Sequence, residues 1–265
     1  MRGGAVAIED VPGKARALYE ARRTGVPIAP FTDADPQLGM ADGYAVQTEL
    51  VRLILAEGDT VVGYKAGLTS KPMQRMLGVG QPDYGPVLAS TLYRDGDDVA
   101  VVRFIAPKLE AEIVLVLGAP LRGPGVTVDD ARVAVSGAAA ALEIVDSRFV
   151  DWRIKLADTV ADLASNGAAV ISSEVVPVEG FDLRLVGMVL SRDGELVDTG
   201  AGAAALGDPY AVVAWLANTL AADGIGLEAG HVVMTGALHA AVPMVAGETY
   251  RAEFDRLGSV GVRVV

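Results

Sequence analysis

Two glutamates stand two residues apart at the head of an apolar run, Pro107-Lys108-Leu109-Glu110-Ala111-Glu112-Ile113-Val114-Leu115-Val116-Leu117. After Glu112 the run is of strand length and rich in β-branched residues, and Gly118 and Pro120 close it. Strand side chains alternate in direction, so Glu110, Glu112, Val114 and Val116 share a face and the two carboxylates lie roughly 7 Å apart at their Cα atoms. Like charges so placed repel, and burying them unpaired is costly; a divalent cation removes that difficulty. The plainer alternative is a solvated strand end. A third acid, Glu143, falls inside a second apolar run ending Leu142-Glu143-Ile144-Val145-Asp146. Three acids in strand contexts favour a hard cation such as Mg²⁺, which prefers oxygen ligands, more than any one of them does.

Two further residues could carry chemistry. Lys65 ends a short strand, Val61-Val62-Gly63-Tyr64-Lys65, and Asp83 lies in Gln81-Pro82-Asp83-Tyr84-Gly85-Pro86, a segment dense in turn residues that reads as a loop. Taken alone, a lysine is usually solvated and a turn aspartate usually bonds its own backbone. Lys65 could shuttle protons if burial and a nearby cation lower its pKa. The two histidines, His231 and His239, read as structural or surface residues, and no P-loop, GxGxxG or metal-spaced histidine cluster occurs.

The elements that must position these groups follow from periodicity and punctuation. Helices are expected over 13–23 and 40–57, with Met40, Tyr44, Gln47, Val51, Ile54 and Leu55 striping the second. A short helix is expected from Ser70 to before Gly78, and another from Thr127, whose Asp130 three residues on resembles a capping box, continuing through Ala138–Ala139. The stretch 151–167, carrying Lys155, Asp158, Asp162, Ser165 and Asn166, reads as an irregular polar loop able to close over a site. Asp193-Gly194 predicts a hairpin between 183–191 and 195–199, and Asp208-Pro209 a helix start with Gly224 as its stop. The last strands fall at 231–235, 248–255 and 259–265. We therefore expect residues 1–60 to form a helical segment packed on a metal-binding catalytic domain over 61–265.

Bulk properties narrow the partners. The chain has 265 residues, 51% hydrophobic and 21% charged, an ordinary globular balance with length for a sizeable core. Its net charge of −12 argues against nucleic acid and anionic membrane as partners, so an anionic substrate has to be met by a metal or a positioned Lys or Arg. With no cysteine, disulfide and thiolate chemistry are excluded. The Ala5–Ile8 run is too short for a signal segment and the apolar stretch near Tyr210–Leu220 is not bilayer-length, so a soluble, cytoplasmic protein is expected.

Six pieces, in order, resemble the 2-keto-4-pentenoate hydratase/2-oxohex-3-enedioate (4-oxalocrotonate) decarboxylase family of the fumarylacetoacetate hydrolase superfamily. They are Gly63-Tyr64-Lys65-Ala66-Gly67-Leu68-Thr69-Ser70, Gln81-Pro82-Asp83-Tyr84-Gly85, Pro107-Lys108-Leu109-Glu110-Ala111-Glu112, Ala141 to Arg148, Asp158-Thr159-Val160-Ala161-Asp162 and Leu257-Gly258-Ser259-Val260. The resemblance implies a mixed α/β (α+β) fold, a rolled mixed β-sheet core with flanking helices. It implies Mg²⁺ or Mn²⁺ on Glu110, Glu112 and Glu143, Lys65 and Asp83 as acid/base and positioning residues, and substrate contacts from Lys155, Ser165 and Thr235. Two departures stand out: Leu163 occupies the place of a frequent Asn, and Ala229-Gly230-His231 that of Ala-Gly-Asp. The Gln81–Gly85 and Thr235-Gly236-Ala237-Leu238 segments are closer to the hydratase branch, which implies hydration of 2-hydroxypenta-2,4-dienoate to 4-hydroxy-2-oxopentanoate. Decarboxylation of 2-oxohex-3-enedioate and a non-catalytic partner subunit are the alternatives. The resemblance further implies a homo-oligomer built from pentameric rings (a pentamer or decamer), with a related decarboxylase or a downstream aldolase as a partner.

Overall fold

The computed structural model describes residues 9–71, 74–75 and 79–265. The run Ala5–Ile8 and part of the segment following Ser70 lie outside those residues. The strands are β1 (Val61–Gly67), β2 (Asp83–Leu88), β3 (Leu92–Arg94), β4 (Asp98–Val99), β5 (Lys108–Leu117), β6 (Val135–Val145), β7 (Asn166–Ile171), β8 (Gly187–Arg192), β9 (Glu195–Ala201), β10 (Val232–Met234), β11 (Val242–Pro243), β12 (Thr249–Phe254) and β13 (Gly258–Val264). One sheet runs β2-β1-β10-β5-β6-β7-β3, with β11 beside β5; the other runs β4-β13-β12-β8-β9. Parallel pairs (β1 with β10, β3 with β7, β13 with β4) sit among antiparallel ones, so the expected mixed α/β fold is what forms.

The longest strands, β5 and β6, are buried because both of their faces are covered. Ile113, Leu115, Leu142 and Ile144 join Leu190, Tyr250, Val260 and Val262 of the second sheet in the main core. On the other face Val114 and Ala141 pack with Val87, Ala169 and Met234. Continuous apolar runs in the sequence are the signature of such two-sided burial. The N-terminal helices, Val11–Thr24 and Met40–Ala56, place Leu18, Val46 and Leu50 in a cluster with Leu88, Phe149 and Leu163. Asp10 caps the first by accepting from the Gly13 amide at 2.9 Å, and Asp208 caps Pro209–Leu220 by accepting from Tyr210. No helix among the described residues is long and apolar enough to cross a membrane.

Four expectations need correction. The helix after Thr127 ends at Ala134; Val135 through Val145 is strand, paired residue by residue with β5. Alanine is the strongest helix former, but intrinsic propensity is a weak preference, and the long pairing with β5 overrides it. Residues 83–86 form not a loop but the start of β2, which tolerates Gly85 and Pro86 because it is an edge strand. The 151–167 stretch is not an irregular lid: it folds into the helix Leu156–Ala161 flanked by single turns, and from Ala157 to Asn166 nearly every residue is buried. The hairpin strand β8 also starts only at Gly187, after a turn at Leu183–Leu185, although Asp193 and Gly194 do make the left-handed turn expected of them (φ 51° and 84°).

Candidate active site

β5 and β6 bring the three glutamates together. Glu110 lies directly opposite Glu143 across the two strands, and Glu112 is the next residue along the same face of β5. One carboxylate oxygen from each lies within 4.8 Å of the others. Glu112 and Glu143 are buried and Glu110 is partly exposed. Glu112 Oε2 accepts from the Gly236 amide at 2.9 Å, and Glu143 Oε1 accepts from Asn166 Nδ2 at 3.1 Å. Glu112 Oε1 and Glu143 Oε2 have no hydrogen-bond partner among the described residues. Buried polar atoms are ordinarily satisfied, so two orphaned carboxylate oxygens in one acidic cluster ask for a ligand. Burial, then the neighbouring Glu143, pushes the Glu110 carboxyl up to about 7; the same causes with Glu110 added lift Glu112 well above the carboxylate range. An all-oxygen donor set with unmet negative charge fits a hard divalent cation, whose charge reverses both effects.

Lys65 and Asp83 flank this cluster on β1 and β2. Lys65 Nζ lies 3.1 Å from Glu143 Oε1 and donates to the Ala164 carbonyl at 2.8 Å. That carbonyl is presented by unusual backbone. Leu163, Ala164 and Ser165 all adopt left-handed φ (55°, 52°, 57°), a conformation costing on the order of 1–3 kcal/mol per non-glycine residue and held only where surroundings over-determine it. The chain there presses so close to β2 that a Cβ on Gly85 would stand 2.1 Å from the Leu163 carbonyl. The expectation of a lowered Lys65 pKa is corrected: burial does pull it down, but Glu143, Asp83, Glu110 and Glu112 outweigh burial and the net shift is upward. Asp83 pairs in register with Gly67, where a Cβ would meet Asp83 Oδ1 at 2.2 Å. Burial raises the Asp83 carboxyl against the pull of Lys65, and Oδ1 has no partner among the described residues.

A cavity of about 1040 Å³ is lined by the three glutamates, Lys65, Asp83 and, of the other expected residues, Lys155 and Ser165. Ser165 Oγ lies 2.9 Å from Thr159 Oγ1. Thr235 does not line it: the side chain is buried and its hydroxyl donates to the Ile113 carbonyl at 2.8 Å, while the next residue, Gly236, supplies the amide that reaches Glu112. Asn166, in sequence only a polar loop residue, is the amide that orients Glu143, and its own Oδ1 has no partner among the described residues. Lys108 and Trp152 also face the cavity unforeseen. Asp158 and Asp162 are structural ties. Asp158 accepts from the Thr32 amide and hydroxyl and from the Lys155 amide; Asp162 accepts from Arg148. His239 lines the cavity, yet both ring nitrogens are engaged: Nε2 accepts from the Ala111 amide, so Nδ1 donates to Ala240 O. Burial lowers its pKa, which keeps it neutral.

A rolled mixed sheet that gathers three strand-borne glutamates beside a buried lysine–aspartate pair defines a class of acid-lined small-molecule enzyme sites. The comparisons with known proteins identify which. Residues 64–265 match the family described as fumarylacetoacetate (FAA) hydrolase, C-terminal, and the chain belongs to it. It is 42% identical over 248 residues to a 2-hydroxyhexa-2,4-dienoate hydratase of Comamonas testosteroni (93% of this chain, 94% of that one). It is 43% identical over 246 residues to a 2-keto-4-pentenoate hydratase of Paraburkholderia xenovorans (93% and 91%). Among solved structures it resembles the 4-oxalocrotonate decarboxylase of Pseudomonas putida G7, complexed with magnesium and adipate, at TM-score 0.93 and 37% identity over 97% of this chain and 98% of that one.

Proposed function

We propose that the protein is a divalent-cation-dependent hydro-lyase that adds water to 2-hydroxypenta-2,4-dienoate to give 4-hydroxy-2-oxopentanoate, with Mg²⁺ or Mn²⁺ on Glu110, Glu112 and Glu143. Hydratases at 42–43% identity over more than nine-tenths of the chain support the reaction class. The observation that carries the site reading is the pair of orphaned oxygens on Glu112 and Glu143, in a cavity that Lys65 and Asp83 also line. The ion, when bound, supplies a Lewis acid for a 2-oxo acid.

The residues of the chain do the rest. Lys65, fixed by Ala164 and Glu143, holds positive charge beside the substrate and passes a proton toward C5, converting the dienol to the 2-oxo-3-enoate. Asp83 orients the water whose oxygen adds at C4, while a proton is taken up at C3, so one water is consumed and no group leaves. Each such proton transfer contributes about 10²–10⁴-fold. Ser165 and Lys155 contact the substrate along the cavity wall. His239, with both nitrogens committed, does not act as the base of a hydrolytic C–C cleavage.

The likeness to a decarboxylase makes decarboxylation of 2-oxohex-3-enedioate the second reading. Following the ultraviolet absorbance of the dienol with and without Mg²⁺ tests the first: metal-dependent loss of the dienol with no carbon dioxide released is the expected result. Carbon dioxide release from the dioate at a comparable rate puts the second reading ahead, and no metal-dependent loss of either substrate overturns both.

A further inference from the structure

A second cavity, of about 810 Å³, shares no lining residue with the one at the glutamates. Arg22, in the last turn of the helix Val11–Thr24, lines it. Its side chain is partly buried; Nη1 donates to the Asn166 carbonyl at 3.1 Å and Nη2 to the Gly167 carbonyl at 3.3 Å. Those bonds use part of the guanidinium's donor capacity and cancel none of its charge. Arg148 donates to the same Asn166 carbonyl but has Asp162 and Asp146 as partners, whereas Arg22 forms no ion pair among the described residues. Burial, then Arg148, brings the Arg22 pKa down to about 10 against the upward pull of Asp162, Asp146 and Asp59. The guanidinium is therefore short of negative charge where it stands.

The acids that line the cavity are occupied or exposed. Asp146 accepts from the Ile105 and Ala106 amides and lies beside Arg148; Asp59 accepts from the Ser90 amide and hydroxyl and from the Thr60 amide. Glu57 is exposed. A second cation, Arg103, also lines the cavity, 5.8 Å from the centroid of the Tyr93 ring, and has no ion pair among the described residues. Tyr19, Tyr93 and Phe104 form part of the wall. In a chain of net charge −12, a guanidinium short of a counter-charge beside aromatic walls is a recognition feature for an organic anion. The volume falls in the range of small-molecule sites, roughly 300–1,000 Å³, and exceeds what a bare inorganic ion needs. The Asn166 carbonyl that Arg22 holds belongs to the residue whose side-chain amide holds Glu143.

We propose that this cavity is a second binding site, for a small organic oxyanion with a carboxylate or phosphate head and an apolar body, whose occupancy is felt at the glutamate cluster through Asn166. The link to the glutamates rests on their holding the ion; the site itself does not. The ion-free full-length protein is titrated calorimetrically with benzoate, with its uncharged isostere benzamide, and with phenyl phosphate. The expected preference for the better anion over benzamide is on the order of tenfold, that of one charge-assisted hydrogen bond, and the stronger of the two anions identifies the head group. In Arg22→Gln the preference falls toward one, Arg22→Lys retains part of it, and Arg103→Met lowers it less. No preference for either anion over benzamide overturns the proposal, as does a preference undiminished in Arg22→Gln, which puts the anion elsewhere. Should Arg22→Gln fail to fold, Arg103→Met decides, and an undiminished preference there overturns the site. Mn²⁺ is then titrated with and without saturating benzoate. An anion on Arg22 offsets a positive charge near the ion, so Mn²⁺ affinity is expected to rise about fivefold in the wild type and to stay level in Arg22→Gln. An equal benzoate effect in both proteins means that benzoate meets the ion itself, and it overturns the coupling, as does no effect in either. Mn²⁺ binding absent from the wild type with the Arg22-dependent preference intact would sink the proposed function and spare the site.

Discussion

Two buried clusters in this protein both set carboxylates beside a basic side chain and behave in opposite ways. Around Arg148, every charge is answered: Nε donates to Asp162 Oδ1 at 2.6 Å, the Arg148 amide to Asp162 Oδ2 at 2.9 Å, and Nη2 to the carbonyls of Asp162 and Asn166. Asp146, 3.6 Å from the same guanidinium, accepts from the Ile105 and Ala106 amides. Around Glu112 and Glu143, the buried Lys65 faces three glutamates and an aspartate, and several oxygens have no partner among the described residues. Carboxylates satisfied by the chain itself hold loops in place; carboxylates left short of partners mark where something else must bind. Asn166 joins the two, its carbonyl taking up Arg22 and Arg148 while its side-chain amide holds Glu143.

Mutations should separate the clusters. The largest effect is expected for Glu112→Gln, which removes a charge from the unsatisfied cluster: metal-dependent turnover falls below detection while the melting temperature of the ion-free protein stays level or rises, since the carboxyl it replaces is held far above its ordinary pKa by burial. Undiminished activity would remove Glu112 from the mechanism. Asp162→Ala does the reverse, removing the close partner of buried Arg148 and leaving it only Asp146 at 3.6 Å, and should cost about 3–5 kcal/mol in denaturant unfolding; a loss under about 1 kcal/mol would show the two clusters to be less different than argued. Asn166→Ala, at the junction, should weaken divalent-ion affinity by roughly 10–100-fold, the range for a residue that orients a ligand. Calorimetric titration with Mn²⁺ would expose an unchanged affinity.

The smallest effect is in pH. In the ion-free protein the Glu110 carboxyl is raised from 4.5 to about 7. Its contribution to stability is therefore full below about 4.5 and lost as pH climbs through about 7. Added Mg²⁺ should then raise the melting temperature more at about pH 8 than at about pH 5.5, by a few degrees. Equal shifts at both would mean that the ion and these protons do not compete.

How much of this was legible in the sequence follows from which forces act locally. Alternation along one strand put Glu110 and Glu112 on one face, and that needs no knowledge of the neighbour. Their meeting with Glu143 depends on the β5–β6 register, which a list of apolar runs does not contain; the resemblance to a known family supplied it. Asp83 reads as a loop residue because Pro82, Gly85 and Pro86 are turn residues, and only pairing with β1 makes 83–88 a strand. Asn166 escaped notice because its aim depends on three successive left-handed residues, none of them glycine, that no local preference signals. At 235–236 the group that reaches the site is a backbone N–H, which carries no residue identity to read.

The central claim is that Glu110, Glu112 and Glu143 hold one hard ion. Electron paramagnetic resonance of Mn²⁺ added to the wild-type protein and to Glu112→Gln and Glu143→Gln tests it most directly. The account predicts one tightly bound Mn²⁺ per chain in the wild type and none in either variant. Mn²⁺ retained with wild-type affinity by both variants would contradict it.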